Sequence, residues 1–300
     1  MHLPMIRFRP VKMIAVAGVV LAATLLASPI HAQSVGVPPS QVLLDQSYAA
    51  MYNLNFEVAF QKAEQAKAFA KDDPMPWVAQ ACAGLFREFD RLHILRSEMF
   101  ASDETFDARE AYKWNPQTRQ QFEAALTGAE KLAQDRLTQN REDAVALFAL
   151  ALTHGLRADD AALISKKNMA ALSDIKTANG YADRLLSRWP DYYDAYVATG
   201  MGKYVIGGKA APVRWVLRIG GIKGDQAEGL KELTLAAENG HYLAPFARIL
   251  LAFDDLRHNK TTDARKIFAS LHDQFPGNPL FPQEMAKIDQ TARSVGPGSH

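Results

Sequence analysis

From residue 40 onward, apolar side chains recur at three- and four-residue spacing, and no stretch keeps up the alternation of a half-buried strand. That periodicity limits the chain to helices packed on helices. Leu43, Leu44, Tyr48 and Met51 make one stripe, and Phe56, Phe60, Ala63 and Ala66 make the next. Asn53-Leu54-Asn55 separates them, and asparagine suits both leaving one helix and capping another. The spacing predicts further helices over 76–92, 117–138, 142–157, 168–188, 191–206, 225–239, 242–257, 262–275 and 279–292, with a less regular segment at 96–113. The 48 alanines among 300 residues suit helices in close contact, since alanine is the best helix former and the smallest side chain with a Cβ.

The first residues read as an address. Arg7, Arg9 and Lys12 precede an apolar run from Met13 to Ala27, no acidic residue stands before Asp45, and Ile30-His31-Ala32 offers a small residue at a cut. This is the layout of a secretory signal peptide over 1–32. The run is shorter than the roughly 18–20 residues that span a bilayer, and no cysteine near the cut opens a lipoprotein route. Cleavage near Ala32 predicts an exported protein, periplasmic or extracellular. A linker at 33–39, a repeat domain at 40–292 and a flexible tail at 293–300 would follow.

Charge and cysteine content narrow the function. Lys+Arg number 34 against 33 Asp+Glu, and removing the leader's three basic residues leaves 31 against 33. Such a balance gives no bulk electrostatic reason to bind nucleic acid. A single cysteine, Cys82, excludes an internal disulfide and a multi-cysteine metal site. Its flanking alanines supply none of the positive field that a reactive thiolate needs.

Small residues and prolines keep a fixed register. Pro74, Pro190 and Pro276 each end an apolar helix. Ten residues after them stand Gly84, Gly200 and Ala286; eight before stand Ala66, Ala182 and Phe268. Five before stand Phe69, Leu185 and Leu271, and twelve before stand Lys62, Ala178 and Ala264. Helical pairs approach closely only where one position per helix has almost no side chain, with larger apolar groups filling the gap a turn away. This pattern resembles the tetratricopeptide repeat. Ala252 with Ala264, Phe268, Leu271 and Pro276 makes one copy, and Ala178, Ala182, Leu185 and Pro190, followed by Tyr196 and Gly200, another. Gly229, Leu233 and Ala236, and Ala59, Ala63 and Ala66, are weaker copies. The proline spacings are not multiples of the 34-residue period, so insertions near 93–115, 157–168 and 207–224 are expected.

The resemblance implies an all-α solenoid of antiparallel helical hairpins with a short inserted helix. It also implies a concave groove lined by the first helix of each pair. Carried over from Gly200, that face is Asp194, Val197, Met201 and Tyr204; carried over from Gly84, it is Val78, Ala81, Leu85 and Glu88. Such grooves hold extended or helical peptides. The expected function is therefore a scaffold that binds a protein or peptide partner, without catalysis and without a cofactor.

Two alternatives rest on other residues. Glu88, Asp90 and His93, with Glu98, Asp103 and Glu104 beyond, could serve a metal-dependent or acid–base enzyme; against this, Arg87 and Arg91 suit surface ion pairs with those carboxylates. Between Gly207-Gly208 and Gly220-Gly221, the segment Pro212–Ile219 places Arg214 and Arg218 on one helical face beside Trp215. That patch suits a lid, a plug whose arginines snorkel to water, or contact with a membrane surface. Gly200-Met201-Gly202 and Gly207-Gly208-Lys209 begin nucleotide-binding patterns but complete neither, since Ala210 stands where a phosphate loop needs Ser or Thr.

Overall fold

A computed structural model describes residues 37–100, 110–208 and 224–294. Eleven α-helices lie among them: α1 Pro39–Tyr52, α2 Phe56–Phe69, α3 Met75–Arg91, α4 Pro116–Gln139, α5 Ala144–Asp159, α6 Asn168–Arg188, α7 Tyr196–Gly207, α8 Gln226–Asn239, α9 Ala244–Arg257, α10 Thr261–Gln274 and α11 Leu280–Ser294. Among the described residues there is no strand. The signal-peptide segment, Asp103, Glu104, the insertion with Arg214, Trp215 and Arg218, and the end of the tail lie outside the described residues.

Local chemistry sets the helix boundaries. Side chains of Asn55, Asn115, Asp143 and Asp225 accept from backbone N–H groups in the first turns of α2, α4, α5 and α8, meeting donors that a helix cannot satisfy internally. Prolines open α1, α3, α4 and α9, where a missing N–H costs nothing. Leu54, His93 and Asn259 take positive φ just beyond α1, α3 and α9.

Consecutive helices pair as antiparallel hairpins, α1/α2 through α9/α10, with α11 closing the stack. In the first, third and fourth hairpins the two partners pack more extensively on each other than on the next hairpin. Contacts that skip a helix join α1 to α3, α3 to α5 and α5 to α7. The odd-numbered helices therefore form an inner row, and the even-numbered ones stand outside it. This is an α-solenoid of helical hairpins.

The small positions do the work expected of them, with exceptions. Ala66, Ala182, Ala178, Ala264, Leu185, Leu271 and Phe268 are all buried. Gly200 and Gly229 let α7 and α8 touch backbone to backbone: a Cβ on either residue would lie within 3 Å of the other's carbonyl oxygen. Phe69, by contrast, is 65% exposed at the end of α2, although Ala66 one turn earlier is fully buried. Ala286 is exposed as well, because no described helix packs on the far side of α11.

The stack also curls back on itself. Tyr48 of α1 stacks on Tyr242 in the α8–α9 turn, with ring centroids 4.6 Å apart. The Tyr52 hydroxyl donates to the Tyr242 carbonyl at 2.9 Å, and Asn278 Nδ2 donates to the Tyr52 carbonyl at 2.9 Å. Across the inner row, Phe86 of α3 meets Phe246 of α9 edge to face at 5.6 Å. The α3–α4 connection reaches the same side: Phe100 stacks on Phe253, and Glu98 pairs with Lys287 at 2.7 Å. Hence α1 and α3 lie against the C-terminal hairpins.

Candidate functional site: the inner face

The two halves of the inner row differ. Along α3, Val78, Ala81 and Leu85 are 0% exposed and Glu88 is 1% exposed. These four positions, expected to line an open groove, are sealed. On the Cys82 side of α3, helix α1 and the turn before α9 close in through Tyr48, Tyr52 and Tyr242, a closure between residues about two hundred apart that a local repeat pattern cannot report. Cys82 is buried here too, with Tyr48 Oη 4.0 Å from its sulfur. Burial pushes its thiol up to about 12, so it stays protonated and unreactive.

Glu88 has a structural task. Its carboxylate accepts from Arg91 Nε at 3.1 Å, from Arg91 Nη2, and from the backbone N–H of Asn115 at 2.7 Å. Arg91 Nη2 also donates to the Lys113 carbonyl at 2.6 Å. One buried carboxylate thus ties the end of α3 to the start of α4. A cleft of ≈ 460 Å³ opens beside it, lined by Glu57, Arg87, Asp90, Gln117, Thr118 and Gln121 among others. Arg87 pairs with Glu57 at 3.0 Å rather than with a carboxylate of its own helix. His93 caps α3 from an exposed, left-handed position. Glu88, Asp90 and His93 therefore do not converge, and no group of three or more His, Cys, Asp or Glu suited to a metal occurs among the described residues.

The predicted set on α7 separates as well. Asp194, in the short 3-10 turn before α7, is 5% exposed. Its carboxylate accepts from the backbone N–H groups of His241, Tyr242 and Leu243 at 2.9, 3.0 and 3.0 Å. It caps the entry to α9 and does not face a groove. Val197 is buried, whereas Met201 and Tyr204 are half-buried. The Tyr204 hydroxyl donates to Asp254 Oδ1 at 2.6 Å, linking α7 to α9.

Beside them, the inner face of α5 is more open. An added Cβ on Gly155 would meet nothing within 4 Å. Leu152 and Asp159, on the same face at i−3 and i+4, are half-buried. Sequence reading missed both Gly155 and Asp159. A signal was there: an acidic pair, Asp159-Asp160, ends an otherwise nearly apolar helix. The pair splits in the structure. Asp160 Oδ1 accepts from Trp114 Nε1 at 2.7 Å and from Ser165 Oγ at 3.0 Å. Asp159 makes no hydrogen bond or ion pair among the described residues, and burial alone raises its carboxyl to about 7.

No known family's sequence profile matches the chain, and no curated protein sequence matches it. Among solved structures, it is similar to the crystal structure of yeast Tom70 at 17% identity and a TM-score of 0.30, over 84% of this chain. The chain spans about 65% of that structure's length. Function must be argued from the geometry.

Proposed function

We propose that this chain is an exported, non-catalytic helical-repeat protein that binds a segment of a partner protein on the inner face of its hairpin stack. The observation that carries the reading is that, among the described residues, Leu152, Gly155 and Asp159 of α5 and Met201 and Tyr204 of α7 stay partly accessible while the α3 stretch is packed shut. Apolar side chains with one charged group among them are the usual makings of a peptide site. The binding residues are accordingly Met201 and Tyr204 from the α7 set, together with the α5 face, rather than Val78, Ala81, Leu85 and Glu88. Export rests on the basic flank, short apolar run and small residue at Ala32.

A photo-crosslinking residue at position 201 tests the binding reading in the producing cells. It should yield a defined adduct that the same residue at position 169, on the highly exposed start of α6, does not give. Equal patterns from both positions would refute an inner-face site. Sequencing the N-terminus of the protein from the exported fraction tests the leader: it should begin at Gln33.

A further inference from the structure

Two adjacent aspartates end α5, and only one has a structural role. Asp160 anchors the Trp114 indole and the Ser165 hydroxyl. Asp159 stands on the inner face with neither a hydrogen bond nor a salt bridge among the described residues. Among the described residues only burial acts on its charge, with no Lys, Arg or His close enough to offset it. Carboxylates withdrawn from water in folded proteins are normally paired, because an unpaired one is costly. One turn earlier, Gly155 leaves room where a side chain would otherwise project. The helix runs into a π-turn at Asp160–Ile164, a distortion that concentrates at functional positions. Leu152 and Leu156 precede Asp159 on the same helix, and Cys82 of α3 lies close enough to feel its charge.

We infer that Asp159 and the space beside Gly155 form a pocket for a basic side chain, lysine or arginine, carried on an apolar segment of the partner. This deepens the inner-face reading and rests on it. The occupant follows from charge: an unpaired carboxylate in apolar surroundings rewards a cation that arrives with apolar neighbours to cover it. A second acidic group would be repelled, and a neutral side chain would leave the carboxyl as it is.

The test uses the full chain and a synthetic set of short amphipathic peptides, identical except for one central position that is lysine, arginine, norleucine or glutamate. The wild type should retain the lysine and arginine peptides about tenfold more tightly than the norleucine peptide, and the glutamate peptide least. Asp159→Asn, nearly isosteric, should erase that preference while still retaining the norleucine peptide. Gly155→Leu, which fills open space, should weaken all four peptides. Equal retention of basic and norleucine peptides by the wild type overturns the pocket and leaves the inner-face reading standing. Retention of none of the peptides overturns both. A lower melting temperature for Asp159→Asn than for the wild type would assign the carboxyl a structural role and overturn the pocket too.

Discussion

Asp194 and Gly240 are matched: carboxylate Oδ1 lies 2.6 Å from the point where a Cβ on residue 240 would stand. Only a glycine lets the carboxylate come this near the three N–H groups at the entry to α9. The same Cβ would lie 2.5 Å from the Ala236 carbonyl, a contact with backbone that no rotamer change relieves. Gly240→Ala should therefore destabilise the protein by about 2 kcal/mol. Asp194→Ala, which strands three largely buried donors, should cost about 3 kcal/mol. Chemical denaturation of both variants checks this; the double variant should cost less than the sum, because each change damages the same contact.

How far the sequence spoke can be judged from these residues. Helix positions were legible because periodicity and caps are local: the segment expected at 168–188 is α6 to the residue, and the cap at Asn55 follows from side-chain chemistry alone. The role of Asp194 was not legible. Its partners lie 47–49 residues away, and a repeat template assigns the position a face without showing what covers it. Beside the buried Val78 and Leu85, the closure of Tyr48 on Tyr242 joins residues that no period connects. Ala286 strays from the pattern for the opposite reason: a helix at the end of a stack keeps the motif residue but lacks the neighbour that would bury it.

Glu88 illustrates a carboxylate that resembles a catalytic group in sequence and acts as a tether in space. Glu88→Ala would leave the Asn115 N–H without its acceptor and strip Arg91 of its ion pair, beside the half-exposed cleft where α4 begins. The expected cost is about 2–3 kcal/mol. Glu88→Gln keeps an acceptor for Asn115 and should lose about half of that. Urea denaturation measures both. Hydrogen exchange should show faster opening at the first turn of α4 in the alanine variant, while α10 and α11 keep their protection.

Asp159 gives the chain a pH signature. Burial raises its carboxyl from 3.8 to about 7, so the folded state holds this proton more tightly than the unfolded chain does. Stability from this group is fully present below pH 3.8 and is lost as pH rises through 7. Cys82, which feels the same carboxylate, stays protonated throughout that window at about 12 and adds no titration of its own. Asp159→Asn has no proton to lose. Wild type and variant should be equally stable near pH 4, and the variant should be more stable by about 1–3 kcal/mol near pH 8. Thermal melts across that range decide it: a gap that closes with rising pH contradicts the burial of this carboxyl.

Gly84, in the first helix of its hairpin, and Gly229, in the second helix of its own, are both small positions of the repeat pattern, yet their surroundings demand opposite outcomes. At Gly229 of α8, a Cβ would lie 2.6 Å from the Gly200 carbonyl and 2.6 Å from the Tyr204 nitrogen, both backbone atoms of α7. Neither can move without separating the two helices. At Gly84 of α3, the nearest atoms are side-chain carbons of Phe60 at 3.6 Å and Phe122 at 3.7 Å, ordinary contact distances. Gly229→Ala should cost about 2–3 kcal/mol through forced helix separation. Gly84→Ala should gain about 0.5–1 kcal/mol, because alanine is the better helix former and the site has room. Melting the two variants side by side tests whether close approach or mere helical register retains a glycine: a stabilised Gly229→Ala would mean that α7 and α8 do not cross at bare backbone.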